Sequence, residues 1–124
     1  MANKKRIIAV LEDLFFTVKI NEAAKRTGLE IIFVKSEKDA LDRAGEKADL
    51  MIVDLNCNCV EPLELIRKMK ASPQLKPITL IGYISHVQGE LKQAAQDAGA
   101  NIVLARSAFS QNIQQILKRH AGAS

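Results

Sequence analysis

The most constraining feature of the sequence is a short apolar run, Leu50-Met51-Ile52-Val53, with an aspartate at each end. Four apolar residues are too few for an isolated helix and are typical of a strand that is buried on both faces. Such strands belong to parallel sheets that are covered by helices on both sides. Asp54 then lies at the carboxyl edge of the sheet, where open α/β folds bind their ligands. Its carboxylate is therefore a candidate for chemistry, although it could also simply cap the following turn.

Four further apolar runs alternate with longer amphipathic segments, which predicts a parallel α/β sheet. The five predicted strands are Ile7–Leu11, Ile31–Val34, Asp49–Leu55, Ile78–Ile84 and Ile102–Leu104. The five predicted helices are Leu14–Thr27, Ser36 to about Glu46, Pro62 to about Ala71, Leu91–Ala98 and a last one marked by Phe109, Ile113, Ile116 and Leu117. With right-handed crossovers, this pattern gives one domain over residues 1–124, a (βα)5 three-layer sandwich. The flavodoxin-like strand order 2-1-3-4-5 is a common outcome of that pattern.

The composition of the chain argues against several classes of function, among them nucleic-acid binding and membrane binding. The 124 residues are 48% apolar and 26% charged, which is ordinary for a globular domain. Lysine and arginine exceed the acids by four (18 against 14), but the excess is spread along the chain, so neither nucleic-acid nor membrane binding is expected. No apolar run could span a bilayer or form a signal peptide. A cytoplasmic location is expected, with Cys57 and Cys59 reduced.

The third predicted strand and the fifth carry a resemblance to a known family. The stretch from Asp49 to Asn56 is similar to the phosphoacceptor strand of response-regulator receiver domains, and the run from Asp97 to Arg106 resembles the segment that leads to their conserved lysine. The resemblance covers nearly the whole chain. It implies that Asp54 would accept a phosphoryl group from a histidine kinase, and that the backbone carbonyl of Asn56 would be a ligand of Mg²⁺.

The metal-binding positions depart from the family pattern. Receivers have two adjacent acids after the first strand, and here Leu11 occupies the first position and Glu12 the second. Asp13 is a possible substitute ligand. On this resemblance Glu12, Asp54 and Asn56 would form a Mg²⁺ site, which is expected to be weak because one carboxylate is missing.

The end of the fourth strand lacks the family's hydroxyl residue. Depending on the landmark used for counting, Gly82 or Ile84 occupies that position, and neither carries a hydroxyl group. Ser85 comes next and is the possible substitute.

The fifth strand also departs from the family. Arg106 replaces the lysine and Ser107 replaces the proline after it. A guanidinium can hold a phosphoryl group, but it is a planar fork rather than a compact ammonium. If Arg106 paired directly with Asp54, its charge would hold Asp54 ionised and take over the neutralising role of the metal.

The loop after Asp54 contains a Cys-x-Cys pair, Cys57 and Cys59. With His86 expected near the same edge, the pair is compatible with a metal or redox role. Structural zinc sites usually need four ligands, however, and only one pair is present. Two ordinary thiols in a surface turn, and a histidine at a helix entrance, are the simpler interpretation.

Two functions remain after other α/β enzymes are set aside, since no Gly-rich nucleotide loop or nucleophile elbow occurs. The chain is expected not to be an enzyme. It is either a stand-alone receiver-like module with a degenerate phosphorylation site that acts by protein contact, or a functional receiver phosphorylated on Asp54. A protein partner is expected in both cases.

The chain itself is expected to be a monomer or weak homodimer, because the helix faces around the fifth strand are polar and nearly uncharged. These faces carry Gln88, Glu90, Gln93, Gln96, Gln111, Gln114 and Gln115.

Overall fold

The computed structural model describes residues 5–85 and 89–121, which form five strands and six helices. The strands are β1 (Arg6–Val10), β2 (Glu30–Val34), β3 (Leu50–Asp54), β4 (Thr79–Ile84) and β5 (Ile102–Ala105). The helices are α1 (Leu14–Thr27), α2 (Glu37–Glu46), α3 (Pro62–Ala71), α4 (Gly89–Ala98), α5 (Arg106–Gln111) and α6 (Ile113–Ala121). Across these ranges no helix has the length and apolar character needed to cross a membrane. The predictions for His86 and Gln88 lie outside the described residues.

The strands form one parallel sheet in the order β2-β1-β3-β4-β5, which confirms the predicted topology. The register pairs Val10 with Val53 and Ile84 with Ala105. The carboxyl ends of β1, β3, β4 and β5 therefore come together. The segments that follow these strands therefore meet along one edge of the sheet, which is the edge that the sequence predicts to be functional.

Strand β3 is buried on both faces, as the sequence predicts. Its four apolar residues have no exposed surface. Met51 and Val53 pack into the core beneath α2, α3 and α4, whereas Leu50 and Ile52 pack into the core beneath α1, α5 and α6. This alternation follows from the two-residue period of a strand and makes β3 the central element of both cores.

The helix ends follow the predicted signals. Gly28 ends α1 in the left-handed conformation, with φ of +72°, which suits a residue without a Cβ atom. The hydroxyl of Ser36 accepts a hydrogen bond from the N–H of Asp39 at 3.1 Å and so caps α2. Pro62 occupies the first turn of α3. Ser36 and Pro62 therefore mark where α2 and α3 begin, and Gly28 marks where α1 ends.

The single last helix predicted from the sequence is wrong, because Asn112 divides it into α5 and α6. The side-chain amide of Asn112 donates to the carbonyl oxygen of Ala108 at 2.9 Å, the acceptor that its own N–H would use in a continuous helix. The backbone N–H of Asn112 instead donates to Phe109 at 3.1 Å. Competition of an asparagine side chain for a backbone acceptor thus breaks the helix.

Candidate functional site

Asp54 is the last residue of β3 and lies partly buried at the carboxyl edge of the sheet. Its Oδ1 accepts a hydrogen bond from the N–H of Asn56 at 2.9 Å, and its carbonyl oxygen accepts one from the N–H of Cys57 at 3.1 Å. The first contact is an Asx turn, so Asp54 does cap the loop that follows it. Turn capping and a chemical role are both compatible with this position.

Burial raises the pKa of the Asp54 carboxyl group above its ordinary value. The hydrogen bond from Asn56 and the positive charge of Arg106 oppose this rise, whereas the negative charges of Asp13 and Glu12 add to it. These interactions place Asp54 in one electrostatic cluster with Arg106, Asp13 and Glu12. The net effect is that the ionised form of Asp54 is less favourable in the folded chain than in water.

The Asp54→Asn substitution is therefore expected to stabilise the fold at neutral pH, by less than about 1 kcal/mol for a partly exposed carboxylate. A raised folded-state pKa means that the contribution of Asp54 to stability is fully present below the unfolded pKa, about 3.9, and is lost as the pH rises through the folded pKa. The gain should accordingly disappear as the pH falls through this window. Urea denaturation from pH 3.5 to pH 7 measures it. Glu22→Gln, which removes the charge of an exposed carboxylate on α1, is the control for the change in net charge.

Leu11 and Glu12 follow β1 and differ sharply in environment. Leu11 is 1% exposed and belongs to the core beneath α1, α5 and α6. Glu12 is exposed at the surface, and its Oε1 lies 3.8 Å from the Sγ of Cys57. The position that the resemblance assigns to the first acid of receivers is therefore part of the hydrophobic core, and Asp13 and Glu12 are the carboxylates whose charges act on Asp54.

Arg106 forms its ion pair with Asp13, and not with Asp54 as one hypothesis from the sequence required. Arg106 is the first residue of α5, and its Nη2 donates to Oδ2 of Asp13. Its guanidinium also lies 4.5 Å from the centre of the Phe16 ring, within the range of a cation–π interaction. Asp54 experiences the charge of Arg106 only at longer range.

Asp13 is the residue whose role the sequence did not identify. It is the N-cap of α1, where its Oδ1 accepts from the N–H of Phe15 at 2.8 Å, while its other oxygen holds Arg106. An aspartate directly before the first residue of a predicted helix is an N-cap signal, and that signal would have found the first contact. The second contact joins residues 93 positions apart, so local patterns could not reveal it.

Ser85 reaches the site but is engaged with Asn56. Its N–H and its hydroxyl group both donate to Oδ1 of Asn56, at 2.8 Å and 3.0 Å. The two other candidates are unsuitable for polar contact: Ile84 is buried, and a Cβ atom on Gly82 would lie 2.9–3.1 Å from the side-chain carbons of Leu55. Ser85 is thus the hydroxyl residue that the end of β4 brings to the loop after Asp54.

The expectation of two free thiols is wrong, because Cys57 and Cys59 form a disulfide. Their Cα atoms are 5.5 Å apart, within the usual range for a disulfide, because a one-residue spacing in a tight turn brings both side chains to the same side. The N–H of Cys59 also donates to the Sγ of Cys57 at 3.2 Å. The bond lies within the loop between Asp54 and α3.

Reduction of this disulfide is expected to lower the free energy of unfolding by no more than about 1.6 kcal/mol, because a three-residue loop removes little entropy from the unfolded chain. Urea denaturation with and without a phosphine reductant measures the change. The Cys57→Ser/Cys59→Ser double variant should have the stability of the reduced chain and should not respond to reductant. A loss of several kcal/mol on reduction would contradict the expectation.

The oxygen atoms around Asp54 fit a hard divalent cation such as Mg²⁺, with a reduced number of charged ligands. Asp54 and Glu12 supply carboxylates that already repel each other, and the Asn56 backbone would supply a carbonyl oxygen. Leu11 supplies nothing, because its side chain is in the core. Mg²⁺ binds in proteins through one or two carboxylates and keeps several waters, so this donor set is compatible with weak binding.

Comparisons with known proteins identify the fold. The sequence matches no protein-family model and no curated protein. The structure is similar to a phosphorylated cyanobacterial phytochrome response regulator, with a TM-score of 0.84, 19% identity and coverage of 98% of this chain and 97% of that one. It is similar to the receiver domain of a sensor histidine kinase from Pseudomonas aeruginosa that has magnesium in its active-site cleft (0.81, 20%, 97% and 99%). A chemotaxis response regulator of Vibrio cholerae is also similar (0.81, 19%, 94% and 98%). The chain therefore has the receiver fold.

Proposed function

We propose that this chain is a receiver-type signalling module with a degenerate phosphorylation site, and that it acts by contact with protein partners. The observation that carries the proposal is the ion pair between Arg106 and Asp13. Arg106, the cation whose charge opposes the rise in the pKa of Asp54, is thereby paired with another carboxylate. The Arg106 guanidinium also lies 4.5 Å from the centre of the Phe16 ring, so its charge and its position are already used within the protein.

Two further groups support the same proposal. Ser85, the substitute hydroxyl, donates to Asn56 rather than to Asp54. Leu11 occupies the core where receivers have an acid. Phosphoryl transfer depends on positioned groups that neutralise charge on the equatorial oxygens, and each positioned donor that is lost raises the barrier by on the order of 2.7–4 kcal/mol. Two such losses would make phosphorylation of Asp54 too slow for signalling.

The alternative is a functional receiver that is phosphorylated on Asp54 by a histidine kinase in a Mg²⁺-dependent relay. Retention of Asp54 at the sheet edge and of Glu12 beside it favours this alternative. Asp54, Glu12 and Asn56 would hold the ion, which would neutralise charge on the phosphoryl oxygens. In that case Arg106 would exchange Asp13 for the phosphoryl group, and Ser85 would turn from Asn56 towards it.

A protein partner is proposed to bind beside the site, at the start of α1. Leu14, Phe15 and Val18 are 76%, 63% and 55% exposed there, which makes them the largest exposed apolar side chains of the described chain. The face around β5 is different: Gln93, Gln96 and Gln111 are exposed and polar. A polar face of this kind favours a monomer or a weak homodimer over an obligate one. A cytoplasmic location is part of the proposal, as the resemblance to receiver domains implies.

Incubation with acetyl phosphate and Mg²⁺ is expected to give little or no stable phosphorylation of Asp54. Intact-mass spectrometry of the chain, before and after incubation, measures the mass gain. Asp54→Asn is the matched control, and a response regulator of known activity verifies the reagent. A stoichiometric gain of one phosphoryl group that is absent from Asp54→Asn would establish the alternative and overturn the proposal.

A further inference from the structure

Three potential metal ligands from two different loops meet beside the site. Glu12 follows β1, whereas Cys57 and Cys59 follow β3, and their ligand atoms all lie within 4.8 Å of one another. Of these three residues, only Glu12 belongs to the candidate Mg²⁺ site. The two sulfur atoms are bonded in this structure, so the cluster has a different chemistry when the chain is reduced.

Reduction would convert the cluster into two thiols and a carboxylate. Thiolates are soft ligands that favour Zn²⁺ and similar ions over Mg²⁺, and a carboxylate oxygen is an accepted third ligand. Ligands of one tetrahedral zinc ion, with bonds of about 2.3 Å to sulfur and about 2.0–2.2 Å to oxygen, lie roughly 3.5–3.8 Å apart. Glu12 Oε1 and Cys57 Sγ are 3.8 Å apart already. The two sulfur atoms, which are bonded to each other here, would have to separate, and a Glu12 oxygen already lies within 4.8 Å of both.

The contacts of Cys57 fit the role of a metal ligand. The N–H of Cys59 donates to the Cys57 sulfur at 3.2 Å, and a sulfur bound to a metal ion could accept the same hydrogen bond. Glu12 is exposed and Cys59 is partly exposed, so two of the three ligands are in contact with solvent.

We propose that the reduced chain binds one thiophilic divalent cation of the Zn²⁺ class through Cys57, Cys59 and Glu12, and that the disulfide closes this site. A small-molecule disulfide of the glutathione class is the oxidant. Two S–H bonds of the chain are exchanged for one S–S bond, and the two electrons and two protons convert the oxidant into two thiols. With three protein ligands, the fourth position is left for water. The proposal does not depend on phosphorylation of Asp54.

Titration with Co²⁺ tests the site, because thiolate–cobalt bonds give a charge-transfer absorption that oxygen ligands do not. The full chain is reduced with a phosphine, freed of reductant without oxygen and titrated; Zn²⁺ affinity is then measured by competition with a chromogenic chelator. We expect one ion per reduced chain, with the charge-transfer band, and no band for the oxidised chain. Absence of the band from the reduced chain would overturn the proposal.

Variants assign the ligands. Cys57→Ser and Cys59→Ser should each weaken the band and lower the affinity, and the double variant should abolish the band. Glu12→Gln should keep the band but bind Zn²⁺ at least about tenfold more weakly. Glu61→Gln, an exposed carboxylate in the same loop, is the matched control and should bind as the unmodified chain does. A band that survives in the double serine variant, or a Glu12→Gln affinity equal to that of Glu61→Gln, would contradict the assignment. Circular dichroism of each variant verifies that it is folded.

Discussion

Replacing Leu11 with aspartate is expected to lower the free energy of unfolding by about 4 kcal/mol, because the substitution combines loss of a buried leucine with burial of a charge. Leu11 is 1% exposed and lies in the core cluster that contains Phe16, Ile20 and Tyr83. By the resemblance, the substitution would restore the acid that receivers have at this position. Here it would place a carboxylate among aromatic and aliphatic side chains. Urea denaturation followed by circular dichroism measures the loss.

Leu14→Asp is the matched control, since it introduces the same side chain three positions later at a leucine that is 76% exposed. Its cost should be within about 0.5 kcal/mol, as for other surface substitutions. Leu11→Met, which keeps the core apolar, should cost less than about 1.5 kcal/mol. If Leu11→Asp instead retained full stability and bound Mg²⁺ more tightly than the unmodified chain, Leu11 would face the site and its assignment to the core would be wrong.

The fold could be predicted from the sequence because its determinants are local. The apolar run Leu50–Val53 specifies a strand buried on two faces, and Gly28, Ser36 and Pro62 mark the helix ends within one or two residues. Alternation of strands and helices then leaves few topologies. The one error in the helices came from Asn112, whose side chain competes for a specific carbonyl oxygen. Hydrophobic periodicity carries no information about such a contact, because the apolar face continues through it.

The candidate site could be predicted only in part. Which residues reach the sheet edge depends on the topology of the fold, whereas which of them bond to each other depends on the tertiary geometry. The strand pattern predicted that Asp54, Glu12, Ser85 and Arg106 lie at one edge of the sheet, and the strand order and register agree with this. It could not indicate that Arg106 binds Asp13, since both Asp13 and Asp54 are acids at the same edge. The disulfide was missed for a different reason. The two cysteines were predicted to be reduced because a cytoplasmic location was expected, and the spacing of Cys57 and Cys59 did not decide that prediction.

The polar groups of this edge mostly satisfy one another. Arg106 holds Asp13, Ser85 holds Asn56, and Asn56 in turn donates to Asp54. Arg106, Ser85 and Asn56 therefore have partners within the protein when no phosphoryl group is present. Under the proposed function, a phosphoryl group that recruited Arg106 or Ser85 would have to replace these contacts.

One polar atom beneath the site is left out of this network. The hydroxyl group of Tyr83 is buried and has no hydrogen-bond partner within the described part of the chain. Its ring stacks on Phe109 with a centroid distance of 5.0 Å and an interplanar angle of 6°, and it lies 5.1 Å from Phe16. Burial, followed by the negative charge of Asp54, raises the pKa of the Tyr83 hydroxyl well above its ordinary value. The ring contributes packing, whereas the oxygen contributes a desolvation cost.

Tyr83→Phe is therefore expected to raise the free energy of unfolding by about 1–3 kcal/mol, the cost of an unsatisfied buried polar group. The substitution keeps the stacked ring and removes only the oxygen. Urea denaturation measures the gain, and Tyr83→Leu is the control that removes both ring and oxygen and should destabilise the fold.

Tyr83 is the only tyrosine in the chain, so an alkaline absorbance titration reports on it alone. Because the folded pKa is raised, its ionisation should coincide with unfolding and not precede it. A Tyr83→Phe variant less stable than the unmodified chain would mean that the hydroxyl has a bonding partner in solution, and Asp13 and Arg106, whose charges act on it, would be the first to test by substitution.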